Sequence, residues 1–246
     1  GICVSFFTYN GRKSSDFGLH IESKNIFSAP AFDLSFQAIP GRNGDLLIPN
    51  NRFANVPVSY MVFVARRNVQ SLADTLRAVK GWLYTQPDRY HSITDSYDPD
   101  FTRYGVIKEG LDIEEQLNRL GLFTVTFSCK PFRYSREGEA SVALAASGGV
   151  LHNPFPFTSR PYIRIEGNGS GSLTIQSAGE NHTWTFSDID GYVEADSEQM
   201  NFYKATQLKN HTVTGSRFPL LYPGDNALSF SGGITGLAVT PRWCCL

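Results

Sequence analysis

Charge is what this chain has least of. Only 18% of its 246 residues are Asp, Glu, Lys or Arg, against about 25% in an average soluble domain. Its 22 basic and 23 acidic residues leave a net charge of −1. Residues 1–133 carry 15 Lys/Arg against 13 Asp/Glu, and residues 134–246 carry 7 against 10. Neither half has the basic field that attracts a polyanion, so no nucleic-acid partner is expected. Long apolar runs are missing as well; none approaches the ~20 residues of a membrane span, so no membrane partner is expected either. The stretch Gly1–Phe7 has no basic region and no long apolar core, and does not read as a signal peptide. Cysteine is scarce. Cys3, Cys129, Cys244 and Cys245 form no CxxC and no Cys/His ligand spacing, which argues against a zinc site. Without a secretion signal these thiols are expected to be reduced. A bond between the adjacent Cys244 and Cys245 would be strained.

What the chain does have is apolar and turn-forming. Hydrophobic residues make up 41%, with 18 Phe, 11 Tyr, 22 Gly and 13 Pro. That mixture predicts a mainly β protein of short strands and frequent turns. At this length roughly 70% of the unfolded surface can be buried, so no disulfide or metal staple is needed. Ala31–Phe36 alternates, with Phe32, Leu34 and Phe36 on one face. Val56–Val64 reads as a longer strand in which Pro57 must lie near an edge or a start. One helix is expected over about residues 71–85: Leu72, Leu76, Val79 and Leu83 form a stripe, Ser71 can cap it, Asp74 suits its first turn and Pro87 stops it. Arg103–Ile107 and Leu111–Glu114 read as a hairpin around Lys108-Glu109-Gly110. Leu122–Lys130 alternates cleanly, which makes Cys129 a small core residue rather than a nucleophile.

The composition shifts near residues 134–140, so the expected organisation is an N-terminal β-rich domain over 1–133, a linker over 134–149 and a β-sandwich over 150–246. The last strand of the sandwich could return to the N-terminal domain. Short strands are expected around Tyr162–Glu166, Ser172–Gln176, Thr183–Phe186, Tyr192–Ala195, Asn226–Phe230 and Leu237–Trp243.

Candidates for chemistry are thin. Gly167-Asn168-Gly169-Ser170-Gly171 is neither a nucleophile elbow nor a phosphate loop and reads as a tight turn. Asp95, Asp98 and Asp100, and likewise Asp188 and Asp190, have the oxygen-rich spacing calcium favours, yet they match no full motif and are also ordinary turn residues. Glu194, Asp196 and Glu198 would share one strand face, which on a sandwich is usually a solvated face. The five histidines suggest no triad. Sequons at Asn168, Asn181 and Asn210 read as coincidence without a secretion signal. No catalytic, metal or cofactor residues are therefore assigned, and the chain is not read as an enzyme.

The order of several short motifs is more specific than any of these. Phe7-Thr8-Tyr9-Asn10-Gly11 precedes Ser14-Ser15-Asp16-Phe17-Gly18-Leu19, then Ser28-Ala29-Pro30, then Ile39-Pro40-Gly41-Arg42-Asn43-Gly44. Asn153-Pro154 stands before Ser159-Arg160-Pro161-Tyr162, and Phe218–Asn226 contains Pro223-Gly224-Asp225-Asn226, with Pro241-Arg242-Trp243 near the end. Each piece is a sensible turn by itself. Their shared order, spanning nearly the whole chain, resembles the distal tail protein (Dit) family of long-tailed phages and prophages of Gram-positive bacteria. The motif residues that carry this resemblance are Asp16, Gly18, Pro40, Gly41, Arg42, Gly44, Asn153, Pro154, Pro161, Gly224 and Asn226.

The resemblance implies a structural hub at the tail's distal end. The N-terminal domain would form a ring, usually of six copies, between the major tail protein and the tail-associated lysin or fibre hub. The C-terminal domain would be a galectin-like β-sandwich that in some members docks a receptor-binding protein. The location implied is the virion tail, with the host cytoplasm during assembly. A rival reading is a carbohydrate-binding module, with Trp184, Tyr192, Tyr203 and Tyr222 as sugar stackers, although strand alternation puts half of them in the core. A glycan hydrolase has only the scattered carboxylates in its favour.

Overall fold

Period-two alternation shapes most of this molecule, and two long-range devices, a projecting ribbon and a set of mid-strand glycines, shape the rest. The computed structural model describes residues 5–64, 72–108, 110–113, 116, 121–145 and 148–246. They fall into two units, residues 1–133 with Leu246 and residues 134–245.

The first unit contains β1 (Phe7–Tyr9), β2 (Arg12–Lys13), β3 (Leu19–Asn25), β4 (Phe32–Gln37), β5 (Leu46–Phe53), β6 (Val56–Val64), α1 (Leu72–Leu83), β7 (His91–Asp95), β8 (Phe101–Ile107) and β9 (Leu122–Cys129). Seven of these strands form one antiparallel sheet in the order β2-β1-β7-β8-β9-β6-β3, while β4 and β5 pair only with each other. The alternation read over Leu122–Cys129 is realised: Phe123, Val125, Phe127 and Cys129 are buried. Pro57 lies one residue into β6, before the Ser59–Phe63 stretch that is paired on both sides.

Helix α1 packs on the sheet through Val79, Trp82 and Leu83, all buried. Leu76 packs partly on the core, but Leu72, expected on the same stripe, is exposed. Trp82 fixes the docking. Its indole N–H donates to the Tyr9 carbonyl at 2.8 Å. Its ring stacks on Phe17 at 4.5 Å and Phe7 at 5.6 Å, and Phe7 in turn stacks on Tyr60 at 4.5 Å. Aromatic faces of this size dominate a core's burial energy. The proposed Ser71 cap and the Glu109 turn residue lie outside the described residues, as do Cys3 and Glu114. The strand expected over Leu111–Glu114 is not formed at its described positions: Ile113 is helical and buried, and the Gln116 amide donates to the Asp112 carbonyl at 3.4 Å. Four alternating residues fit either period.

The second unit begins in β10 (Arg133–Ser135) and continues through β11 (Val142–Leu144), β12 (Gly149–Asn153), β13 (Tyr162–Ser177), β14 (Glu180–Asp196), β15 (Asn201–Lys204), β16 (Gln207–Leu208), β17 (Val213–Thr214), β18 (Gly224–Thr240) and β19 (Cys244–Cys245). The six short strands expected over 162–243 are instead dominated by three long ones, β13, β14 and β18, each crossing what had been read as a loop. Their first and second halves pair with different neighbours. One layer runs β12-β18-β13-β14-β17 and the other β11-β18-β13-β14-β15-β16. Both halves line the same core: Ile163, Ile165, Leu173, Ile175, Trp184, Phe186, Val193, Leu228 and Val239. A sandwich results from three strands shared by two layers.

Glycine makes the shared strands possible. Gly167–Gly171 is not a tight turn but the middle of β13, where the pairing register with β18 shifts. A Cβ on Gly171 would stand 2.6 Å from the Ser231 carbonyl oxygen, and one on Gly233 would overlap the Asn168 carbonyl. Backbone meets backbone here, so no side chain fits.

The stretch 134–149, expected as a linker, is built into this unit. Ser135 donates its amide to the Trp243 carbonyl at 2.9 Å, Arg242 donates to the Gly138 carbonyl at 2.6 Å, and β11 pairs with Leu237–Val239 of β18. Its polar sequence disguised this, because these residues are held by backbone hydrogen bonds rather than by apolar periodicity. Cys129, Cys244 and Cys245 are free thiols.

Candidate functional site

In the first unit the motif residues frame a projecting ribbon. Its base is clamped. The Ile26 carbonyl accepts from the guanidinium of Arg103 at 2.6 Å and from that of Arg133 at 2.5 Å; both arginines are buried, and Arg133 also pairs with Asp98 at 2.7 Å. Burial, with neighbouring Arg133, lowers the pKa of Arg103. The Ala54 amide donates to the Ala31 carbonyl at 2.8 Å, closing the ribbon.

Beyond this base, β4 and β5 leave the sheet. The register pairs Phe36 with Leu47, Leu34 with Pro49 and Phe32 with Phe53. The expectation that Phe32, Leu34 and Phe36 share a face holds, yet the face is open: Phe32 is 41% and Phe36 67% exposed. Leu46, Leu47 and Ile48 are exposed as well. Pro40, Gly41, Arg42 and Gly44 form the solvent-exposed tip, closed by an Arg42 amide to Ile39 carbonyl bond of 3.1 Å. Gly41 and Gly44 have φ of +76° and +83°, and a Cβ on either would touch nothing, so backbone angle and not space calls for glycine there.

Asp16 and Gly18 sit at the turn Ser14–Phe17, with Asp16 exposed and the Gly18 amide donating to the Ser15 carbonyl at 3.0 Å. This turn positions Phe17 on Trp82.

In the second unit the motif residues act as ties. Asn226 is fully buried. Its side-chain amide donates to the carbonyls of Tyr222 at 2.8 Å, Gly224 at 3.1 Å and Leu151 at 3.3 Å, while its oxygen accepts from the Tyr222 amide and the Ser177 hydroxyl. Asn153 does the same for the next loop, accepting from the Phe155 amide and donating to the carbonyls of Phe157 and Leu221. Pro154 is exposed, and the carbonyl of buried Pro161 accepts from the Ser197 amide at 3.1 Å.

The carboxylates considered for chemistry are engaged in structure. Glu194 accepts from the Tyr162 hydroxyl at 2.5 Å and the Ala205 amide at 2.9 Å. Asp196 ends β14 and accepts two bonds from Arg242, at 2.8 and 3.2 Å, plus the amides of Glu198 and Gln199. Burial pushes its carboxyl up, but these bonds outweigh that and hold it below the usual range. Glu198 lies past the strand end, so the three do not share one face. Asp95 accepts from the Tyr60 hydroxyl and the amides of Tyr97 and Asp98. Asp188 and Asp190 lie inside β14 rather than in a loop, each 3.9 Å from a lysine, Lys209 and Lys204 respectively. Burial lifts the Cys129 thiol to about 12, as expected of a core residue.

The sugar-stacking candidates offer no open platform. Trp184 is buried and its indole N–H donates to the Arg217 carbonyl. Tyr192 is half-buried, with the Arg164 guanidinium 3.9 Å and the Lys204 ammonium 5.0 Å from its ring centre. Tyr222 lies 5.4 Å from the Arg217 guanidinium, and Tyr203 is half-buried. Among the described residues no helix is long and apolar enough to cross a membrane.

Comparison with known proteins shows what the ribbon-bearing unit is similar to. Residues 12–129 match the family model of the phage tail protein RIFT-related domain. The first unit is therefore similar to a phage tail protein domain. No curated protein sequence matches the chain significantly. The solved structures that do match include the crystal structure of SPP1 Dit (gp 19.1), described as a paradigm of hub adsorption apparatus in phages that infect Gram-positive bacteria. The match has a TM-score of 0.72 at 14% identity and covers 96% of this chain and 97% of that chain. The chain thus shares the fold of that protein over nearly its full length.

Proposed function

We propose that this protein is a structural hub at the distal end of a long-tailed phage tail. Its first unit assembles into a closed ring, of six copies by the family pattern, that joins the tail tube to the tail tip and its lysin or fibre hub. The second unit faces outward and offers a docking platform, in some assemblies for a receptor-binding protein. The observation that carries this reading is the coincidence of a tail-protein domain over residues 12–129 with a fold likeness to a tail hub over nearly the full length of both chains. Heterologous contacts close into a ring only at a fixed copy number, so the assembly should be a single discrete species. The carboxylates described above are consumed by hydrogen bonds and ion pairs, which agrees with a role in assembly instead of turnover. Electron microscopy and light scattering of the purified chain test the proposal, alone and with the tail-tube and lysin proteins of its own phage. Closed rings that cap tail tubes are expected. A strict monomer that binds neither neighbour would overturn it.

A further inference from the structure

Three Asn-Gly pairs occur in the chain: Asn10-Gly11, Asn43-Gly44 and Asn168-Gly169. Asparagine is among the chemically labile side chains, and a following glycine exposes it further, because no Cβ keeps the next amide nitrogen from reaching the side-chain carbon. The three pairs are alike in sequence and unlike in the fold. Asn168-Gly169 lies inside β13, paired with Asp190 and Ile189 of β14, and the Asn168 side-chain oxygen accepts from the Gly191 amide at 3.1 Å. Asn10-Gly11 is the two-residue turn between β1 and β2. Tyr9 pairs with Arg12 across it, the Asn10 amide donates to the Ser92 carbonyl at 3.0 Å, and φ values of +51° and +79° close it as a hairpin turn.

Asn43-Gly44 has neither restraint. It lies between the end of β4 at Gln37 and the start of β5 at Leu46, at the tip of the projecting β4–β5 arm. Residues 40–50 are all exposed. The bond that closes the tip, from the Arg42 amide to the Ile39 carbonyl, ends one residue before Asn43. Among the described residues neither the Asn43 side chain nor the Gly44 amide makes a hydrogen bond. A Cβ on Gly44 would touch nothing, so no packing resists rotation of the backbone there. Exposed turns of Asn and Gly are ordinary. What distinguishes this one is that both groups able to react are free, while in its two twins the fold holds at least one of them.

We propose that Asn43 is a site of spontaneous deamidation, with water as the only co-reactant, and that the fold sets it apart from Asn10 and Asn168. The Gly44 amide nitrogen gives up its proton and attacks the carbonyl carbon of the Asn43 side chain. A new C–N bond forms, the bond to the side-chain nitrogen breaks, and that nitrogen leaves as ammonia, carrying the proton. Water then opens the five-membered succinimide at either carbonyl and leaves aspartate or isoaspartate at position 43. Residues 27–53 hold Asp33 and Asp45 against Arg42 and Arg52, so a neutral arm gains one negative charge at its tip. The isoaspartate branch also lengthens the backbone there by one carbon. The test incubates the full folded chain in mildly alkaline buffer and follows all three sites by peptide mapping with mass spectrometry. The chain is kept dilute, so the outcome does not depend on the hub reading. Asn43 should convert at least about tenfold faster than Asn10 or Asn168, which must first open a turn or a strand. In denaturant the three sites should converge to within about threefold of one another, the scatter left by residual structure. Asn43→Gln, which would need a larger ring, should stop conversion at position 43 and leave the other two rates unchanged. A folded chain in which Asn43 converts no faster than Asn168, or in which Asn10 leads, overturns the proposal. A tenfold spread that persists in denaturant also overturns it, since sequence neighbours and not the fold would then set the order.

Discussion

The two units treat their surfaces in opposite ways. The second closes on itself: three long strands serve both layers, buried amides tie its loops, and even a polar stretch that looks like a linker is bonded into it. The first builds an equally tight sheet-and-helix base, then sends out a ribbon with its apolar residues in water. The first unit gathers five exposed apolar side chains, Phe32, Phe36, Leu46, Leu47 and Ile48, on that one ribbon.

Substitutions can break or sharpen this contrast. The largest effect is expected at Gly233→Ala, where a methyl would overlap the Asn168 carbonyl at the strand crossing. Unfolding monitored by tryptophan fluorescence should show a loss of about 4 kcal/mol or more. Trp82→Ala in the first unit should cost nearly as much, about 3–5 kcal/mol by denaturant titration, which would show that this unit's tolerance does not extend to its base. Asn226→Ala strips partners from three buried segments and should cost about 3 kcal/mol by the same measurement.

Asp196→Asn should cost less, about 1–2 kcal/mol at neutral pH, because its partner Arg242 is partly exposed. The Asp196 carboxyl is held below its usual range, so its contribution is complete above the unfolded value near ~4 and fades as pH falls through the lowered folded value. Melting curves of the wild type and Asp196→Asn should therefore differ at pH 7 and converge toward pH 2. Smallest of all, Phe36→Ser should change folding stability by no more than about 0.5 kcal/mol despite removing a phenyl ring, because that ring is already in water. A large loss there would mean that the arm is part of the folding core, and the contrast between the units would vanish.

The contrast also marks where sequence reading succeeds. Alternation at Leu122–Cys129 identifies both the strand and its buried face, since a strand inside a sheet has one core to point to. Alternation at Phe32, Leu34 and Phe36 identifies the face but cannot say what covers it. The helix follows from its stripe; the exposure of Leu72 and the central place of Trp82 depend on how far the sheet extends beneath it. Gly167–Gly171 misleads because glycine signals a turn locally, while its reason here is a strand more than 60 residues away in sequence. For the same cause three long strands look like six short ones. The motif residues of the second unit are legible as turns, but the reach of Asn226 to Leu151 and Ser177 is not. Leu111–Glu114 shows the converse limit, a four-residue alternation too short to distinguish strand from helix, with Ile113 helical in the structure.

Sharing three strands between two layers has a consequence for the order of events during synthesis. β13 pairs along its length with β18, Tyr162 opposite Thr240 and Ser177 opposite Asn226. The central partner of both layers is therefore the last of the three shared strands to be synthesised. Until it does, the β13–β14 hairpin must wait with one long edge and half its core uncovered. The seven strands of the first unit's β2-β1-β7-β8-β9-β6-β3 path have all been made by then. A nascent chain would thus have its projecting ribbon ready before its sandwich can close, and a chaperone that holds the waiting hairpin would set the rate at which finished copies appear.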